Sequence, residues 1–167
     1  MALSTKVGTF TTNTATGNQA ISGVGFTPKV VFIFGTNKTA AGASAKFSIC
    51  LGVGSSSTSR SYEAHSDDNG LETSESNQRM AAGFFGIKDP TAATTLLAEA
   101  DLVTLDADGF TFDLTTAPAT GIVLGYLALG GTDITNVKVG SFNERVGTGS
   151  QAVTGVGFQP DSVMFMV

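Results

Sequence analysis

The chain is expected to be all-β, an antiparallel β-sandwich or jelly roll, and three observations carry that expectation. Short runs rich in Val, Ile, Phe and Thr follow one another at close spacing, as they do in sandwiches and barrels. The 21 glycines fall largely between those runs, where turns need them. Two runs, 29–34 and 121–129, are apolar at nearly every position, the pattern of central strands.

In chain order, residues 7–12 and 19–24 read as the first two strands, with a turn at 14–18. Pro28 closes a short loop. In 29–34, Val30, Phe32 and Phe34 face one side and Val31 and Ile33 the other, because side chains alternate along a strand. A strand apolar on both faces predicts a cover on both. Residues 45–53 repeat that character, and 59–65 alternate weakly, as an edge strand does. The polar stretch 67–79 reads as an exposed loop or a short hairpin around Asn69-Gly70. Residues 80–87 read as a strand, Asp89-Pro90 as a turn, and 91–100 as extended chain, although its Ala and Leu favour helix. A hairpin follows: 102–105, a turn at 106–109, then 110–114 with Phe110 and Phe112 on one face. Residues 121–129 form a central strand that Gly130-Gly131 breaks.

The chain repeats its beginning at its end. Residues 6–35 align without a gap to 138–167 at an offset of 132, and 14 of the 30 positions are identical. Ile21/Val153, Ser22/Thr154 and Ile33/Phe165 are conservative pairs. A long fixed period marks a tandem array of one structural unit. The expected organisation is therefore a sandwich domain over 1–135, with 136–167 as the first strands of a second, incomplete repeat. Two or three strands are expected there, with apolar faces at Val163, Phe165 and Val167 that need a cover. Isolated hairpins are marginal in water. The expectation is a native chain that continues past Val167, or strands that pack on a neighbouring domain or subunit.

Composition limits function. Charged residues are 14% of the chain and hydrophobic residues 41%, with 12 Phe and no Trp. So low a charge implies a surface of Ser, Thr, Asn and Gly, or one covered by neighbours. The net charge of −5 speaks against nucleic acid, because phosphate binding needs clustered Lys and Arg. No run reaches the roughly 18 consecutive apolar residues of a membrane helix, and the N-terminus lacks the basic and apolar regions of a secretory signal.

Few residues offer chemistry. The lone cysteine, Cys50, sits in an apolar run and reads as a small buried hydrophobe. The lone histidine, His65, has Ser66, Asp67 and Asp68 beside it, but strand neighbours point to opposite faces and make no triad. One His and one Cys are too few for a zinc site. Asp106-Ala107-Asp108-Gly109 resembles the start of a calcium loop, yet Thr115 stands where the closing Glu belongs. Asp106 and Asp108 are thus a weak calcium candidate, and a hairpin turn is the expected reading. Gly23-Val24-Gly25-Phe26 and Gly155-Val156-Gly157-Phe158 lack the third glycine of a dinucleotide fingerprint and predict a tight bend with a Phe anchor. No catalytic residue and no cofactor is expected.

Three pieces together resemble β-sandwich modules of tailed-bacteriophage virion structural proteins. Phe10 and the stretch from Gln19 through Gly23-Val24-Gly25-Phe26-Thr27-Pro28 to Ile33 resemble the family's G-x-Q-x-I/V-x-G-V/L-G-F-x-P-D-x-V-x-I segment, with Lys29 in place of the Asp. Leu105-Asp106-Ala107-Asp108-Gly109-Phe110-Thr111 is similar to its F-D-x-D-G-F-T hairpin. Tyr126-Leu127-Ala128-Leu129 stands where the family has Y-V-A-W, with Leu129 in place of the aromatic. The resemblance implies a concanavalin-like or jelly-roll sandwich on the virion and no catalytic residues. The expected function is a non-enzymatic capsid decoration (cement) or tail-associated module, a homo-oligomer contacting other virion proteins. The alternative is a carbohydrate- or receptor-binding module of a tail fibre, meeting a host-surface glycan through 67–79. The absence of Trp and the presence of only Tyr62 and Tyr126 weigh against that alternative.

Overall fold

A computed structural model describes residues 2–37, 46–68, 75–92 and 94–166. Ten strands and no helix form among them: β1 (Leu3–Thr11), β2 (Gly17–Ser22), β3 (Pro28–Thr36), β4 (Lys46–Ser56), β5 (Ser59–Asp68), β6 (Glu75–Ala81), β7 (Phe85–Lys88), β8 (Leu96–Asp106), β9 (Gly109–Thr116) and β10 (Val123–Gly131). They make a six-stranded sheet in the order β1-β10-β3-β4-β5-β6 and a four-stranded sheet in the order β2-β9-β8-β7. Every pairing is antiparallel. The result is the sandwich-like all-β architecture that the spacing of apolar runs predicts.

Side-chain alternation explains why the sheets close on each other. Val31 and Ile33 of β3, Cys50 of β4, Tyr62 and Ala64 of β5, and Leu124, Tyr126 and Ala128 of β10 are buried on the inner face of the large sheet. From the small sheet, Phe85, Ile87, Ala98, Ala100, Leu102, Phe110, Phe112 and Leu114 meet them. Phenylalanine rings knit the layers together. Phe112 lies 5.4 Å from Phe10 and 5.2 Å from Phe85, and Phe110 lies 5.4 Å from Tyr126. Tilted and edge-on pairs of this kind are favoured by the ring quadrupoles.

The structure corrects four sequence expectations. Residues 59–65 are not an edge: β5 lies between β4 and β6, and Tyr62 to Ala64 are buried. Their polar letters hide this, because the inner positions are filled by one Tyr and one Ala. The expected strand 80–87 is two: β6 ends at Ala81, and the chain crosses to the other sheet before β7 starts at Phe85. Gly83, packed against the Tyr62 ring, allows that crossing. In 91–100 the strand begins only at Leu96, after a turn in which Thr91 donates to the Asp89 carboxylate. Gly130 and Gly131 do not break β10, which pairs through Gly131 to Leu3. The hairpin tip around Asn69-Gly70 lies outside the described residues.

No strand forms over 138–166. Its apolar side chains are bare: Phe142, Val153, Val163, Met164 and Phe165 are between 44% and 70% exposed. Strands need ladder partners, and the residues that partner β1, β2 and β3 in the sandwich have no counterpart beside this segment among the described residues.

Candidate assembly surfaces

The hairpin that carries Asp106 and Asp108 connects β8 to β9, with Asp106 paired to Gly109 across a two-residue turn. The two carboxylates serve different donors. Asp106 accepts from the hydroxyls of Thr104 and Thr111. Asp108 reaches the neighbouring strand end: Gly23 N donates to Oδ2 at 3.0 Å and Gly25 N donates to Oδ1 at 2.5 Å. Val24 N donates to the Asp108 carbonyl at 3.1 Å. Gly23 and Gly25 hold φ of 81° and 89°, the left-handed region that glycine alone enters cheaply, and together they aim their N–H groups into one concave nest. Those bonds hold the Asp108 carboxyl below its ordinary range. Both aspartates are thus engaged by the fold, and among the described residues no cluster of three metal-ligating side chains forms. The Gly-x-Gly segment is the tight bend that the sequence suggests, with an unforeseen partner 83 residues away.

Residues 138–166 keep the local geometry of the first copy without its surroundings. Gly149, Gly155 and Gly157 hold φ of 130°, 82° and 86°, beside 120°, 81° and 89° at Gly17, Gly23 and Gly25. The Phe142 and Phe165 rings meet at 5.8 Å, where Phe10 and Ile33 stand in the first copy. Phe10 is 8% exposed and Ile33 1%, whereas Phe142 is 44% and Phe165 64%. The Gly155–Gly157 nest has no carboxylate in it among the described residues. Two hydrogen bonds to one side chain join the segment to the sandwich: Val139 N donates to Ser59 Oγ at 3.0 Å, and Ser59 Oγ donates to the Val139 carbonyl at 3.3 Å.

The outer face of the large sheet is bare in part. Here Phe34 pairs with Leu51, Leu51 with Glu63, and Glu63 with Met80, in one row across β3 to β6. A parallel row runs from Val7 through Leu127 and Phe32 to Val53. Phe34, Leu51 and Met80 are 41%, 37% and 52% exposed, and Val7 is 67% exposed. The sequence reading expected a cover on both faces of β3. The described residues cover the inner face throughout and the outer face in part, where Val30 and Val53 are buried while Phe34 and Leu51 are exposed. Within the outer rows lies Glu63, itself buried; His65 Nε2 lies 3.0 Å from its Oε1, and its Oε2 has no hydrogen-bond partner among the described residues. Sequence reasoning missed Glu63, since a lone Glu in a weakly alternating run carries no signal until register places it between Leu51 and Met80.

The inner face of β5 holds a polar network. Tyr62 donates to Glu99 Oε1 at 2.6 Å and accepts from Arg79 Nε at 2.8 Å, while Arg79 Nη2 reaches Glu99 at 3.1 Å. Burial, then the bond to Glu99, pushes the Tyr62 phenol well above its ordinary pKa. All three groups are satisfied by one another, which suits a structural clasp between the sheets. Cys50 is fully buried, and burial pushes its thiol up to about 12. No family model, curated protein or solved structure matches the chain.

Proposed function

We propose that the chain is a non-enzymatic structural module of a tailed-bacteriophage virion, a capsid decoration or tail-associated protein that assembles through subunit contacts. In this reading the sandwich is of the jelly-roll type and 138–166 opens a second tandem unit. The observation that carries the proposal is the pairing of conserved geometry with lost burial in 138–166. Its turns and nest follow the first copy, yet its apolar side chains lie in solvent. Burying a Phe, Val or Met contributes about 1.5–3 kcal/mol each. Five such side chains offer a total of the same order as the cost of association. A segment with that composition is stable when covered by another subunit or domain. The low charge, and the resemblance of the hairpin and strand motifs to those of virion modules, support the same reading.

The test uses particles of the phage whose genome encodes this sequence, produced without it. Purified chain is added and the mixture sedimented. The expected result is saturable co-sedimentation, at a fixed number of copies per particle. A chain that stays at the top of the gradient at every concentration would remove the virion assignment.

A further inference from the structure

We propose that the C-terminal segment is a docking site for a β-hairpin that carries a carboxylate at its turn, seated between the Gly155 and Gly157 N–H groups, and phenylalanines two and four residues past that carboxylate. The inference rests on the reading of 138–166 as the opening of a second unit, and names the chemistry of what covers it.

The first copy supplies the template. There the N–H groups of Gly23 and Gly25 hold both oxygens of one carboxylate, Asp108, at 3.0 and 2.5 Å. Successive N–H groups turned to one side by positive φ form an anion-binding concavity, and this one is filled from a strand turn. Phe110 and Phe112 follow Asp108 at two and four residues. Strand alternation sets both on one face, where they meet the Phe10 ring at 6.2 and 5.4 Å. The β8–β9 hairpin thus brings a charge to the Gly-x-Gly bend and two rings to Phe10 together.

The second copy keeps the receiving half. Gly155, Val156, Gly157, Phe158 and Pro160 repeat Gly23, Val24, Gly25, Phe26 and Pro28, and Phe142 repeats Phe10. Gly155 and Gly157 hold φ of 82° and 86°, and neither N–H group has an acceptor among the described residues. Phe142 is 44% exposed. Lys6 adds its charge to the hold on Asp108 in the first copy, and Lys138 stands at the repeated position.

The occupant is not the hairpin of a folded copy. There both Asp108 oxygens are taken, and Phe110 and Phe112 are fully buried. It is a hairpin of the same chemistry that is still uncommitted, as a further unit of this type would bring. A free anion would fill the nest and leave Phe142 in solvent. A purely apolar surface would cover Phe142 and strand two buried N–H groups without acceptors. A hairpin bearing both groups meets both needs.

The test is an NMR titration of the isotope-labelled full chain with a synthetic peptide of residues 96–116, the β8–β9 hairpin. The peptide carries Glu99, Asp101, Asp106, Asp108 and Asp113 and no basic residue, which keeps it in solution. Isolated hairpins are marginal, so a second arm delivers the hairpin in cis, on a chain extended past Val167 by residues 36–131 of the same sequence, in step with the repeat. The Gly155 and Gly157 amide signals are expected to move downfield while those of Gly23 and Gly25 stay in place. Asp108→Asn, in the peptide or in the added stretch, is expected to lower affinity in trans, or hydrogen-exchange protection of the two amides in cis, about tenfold. Phe142→Asp is expected to abolish the shifts and leave the melt of the sandwich unchanged. An Asp108-dependent response in either arm upholds the proposal. Shifts in neither arm overturn it, as do shifts that the Asn variant matches or that Phe142→Asp leaves intact. Docking as expected by a chain that fails to sediment with particles leaves this site standing and removes only the virion assignment.

Discussion

Gln19 and Gln151 stand 132 positions apart and hold the chain in the same way. Gln19 Oε1 accepts from Asn13 N at 2.8 Å while its Nε2 donates to the Thr11 carbonyl at 2.7 Å. Gln151 Oε1 accepts from Arg145 N at 2.8 Å while its Nε2 donates to the Asn143 carbonyl at 2.7 Å. Each side-chain amide closes a turn, which in the first copy leads from β1 to β2. The local code of the repeat thus survives where its tertiary partners do not.

That contrast gives the first prediction. Gln19→Ala unpins β1 from β2 and is expected to lower the stability of the sandwich by about 1 kcal/mol. Gln151→Ala removes the same two bonds from a segment outside the ladders and is expected to leave the melting midpoint unchanged. Paired denaturant titrations of the two variants check this. Equal losses would show that 138–166 is integral to the cooperative unit.

Asp108 ties the β8–β9 turn to Gly23 and Gly25, and the bonds from Gly25 and Gly23 hold its pKa below the ordinary value of 3.8. A depressed folded pKa contributes stability that is present above the unfolded value and is lost as pH falls through the folded one. Asp108→Asn is therefore expected to melt below the wild type at neutral pH. The gap is expected to hold down to about pH 5 and to close below about pH 4. Thermal melts of both proteins across that range read it directly. A gap that widens on acidification would contradict the assigned bonds.

Gly109 opens β9 directly against β2, where it pairs with Ser22. A methyl group at Gly109 would strike the Ile21 carbonyl, which is backbone and cannot step aside. Gly109→Ala is expected to cost about 1–3 kcal/mol, the usual range for overpacking. Urea titration measures it. A neutral result would mean that β2 sits farther from β9 than described.

Cys50 is fully buried and its thiol is held up to about 12 by that burial. Only the thiolate reacts. The native chain is expected to show no reaction with an aromatic disulfide reagent at pH 8, and one equivalent after addition of guanidinium. Fast labelling of the native chain would place Cys50 at the surface.

Much of the architecture was legible because alternation was strong. In β3, Val31 and Ile33 read as one face and Val30, Phe32 and Phe34 as the other, and the sheet uses both as read, one inward and one outward. The Phe110 and Phe112 pair was legible for the same reason. β5 was not, since Ser61, Glu63 and His65 mask the inner Tyr62 and Ala64. The crossing between β6 and β7 was hidden within a continuous apolar run, and only Gly83 hints at it. Surfaces were harder still. Nothing local in Asp108 announces a bond to Gly25, and Glu63 gains meaning only from the register that sets it between Leu51 and Met80. Strand periodicity encodes which side a residue faces, but not whether that side is covered.

The most direct measurement of the assembly account is an electron cryomicroscopy map of the particle that carries this chain. Density for the two-sheet domain is expected at regular positions on the virion, with Phe142, Val163 and Phe165 covered by protein. A map that lacks the domain, or shows those three side chains open to solvent, would overturn the assembly reading.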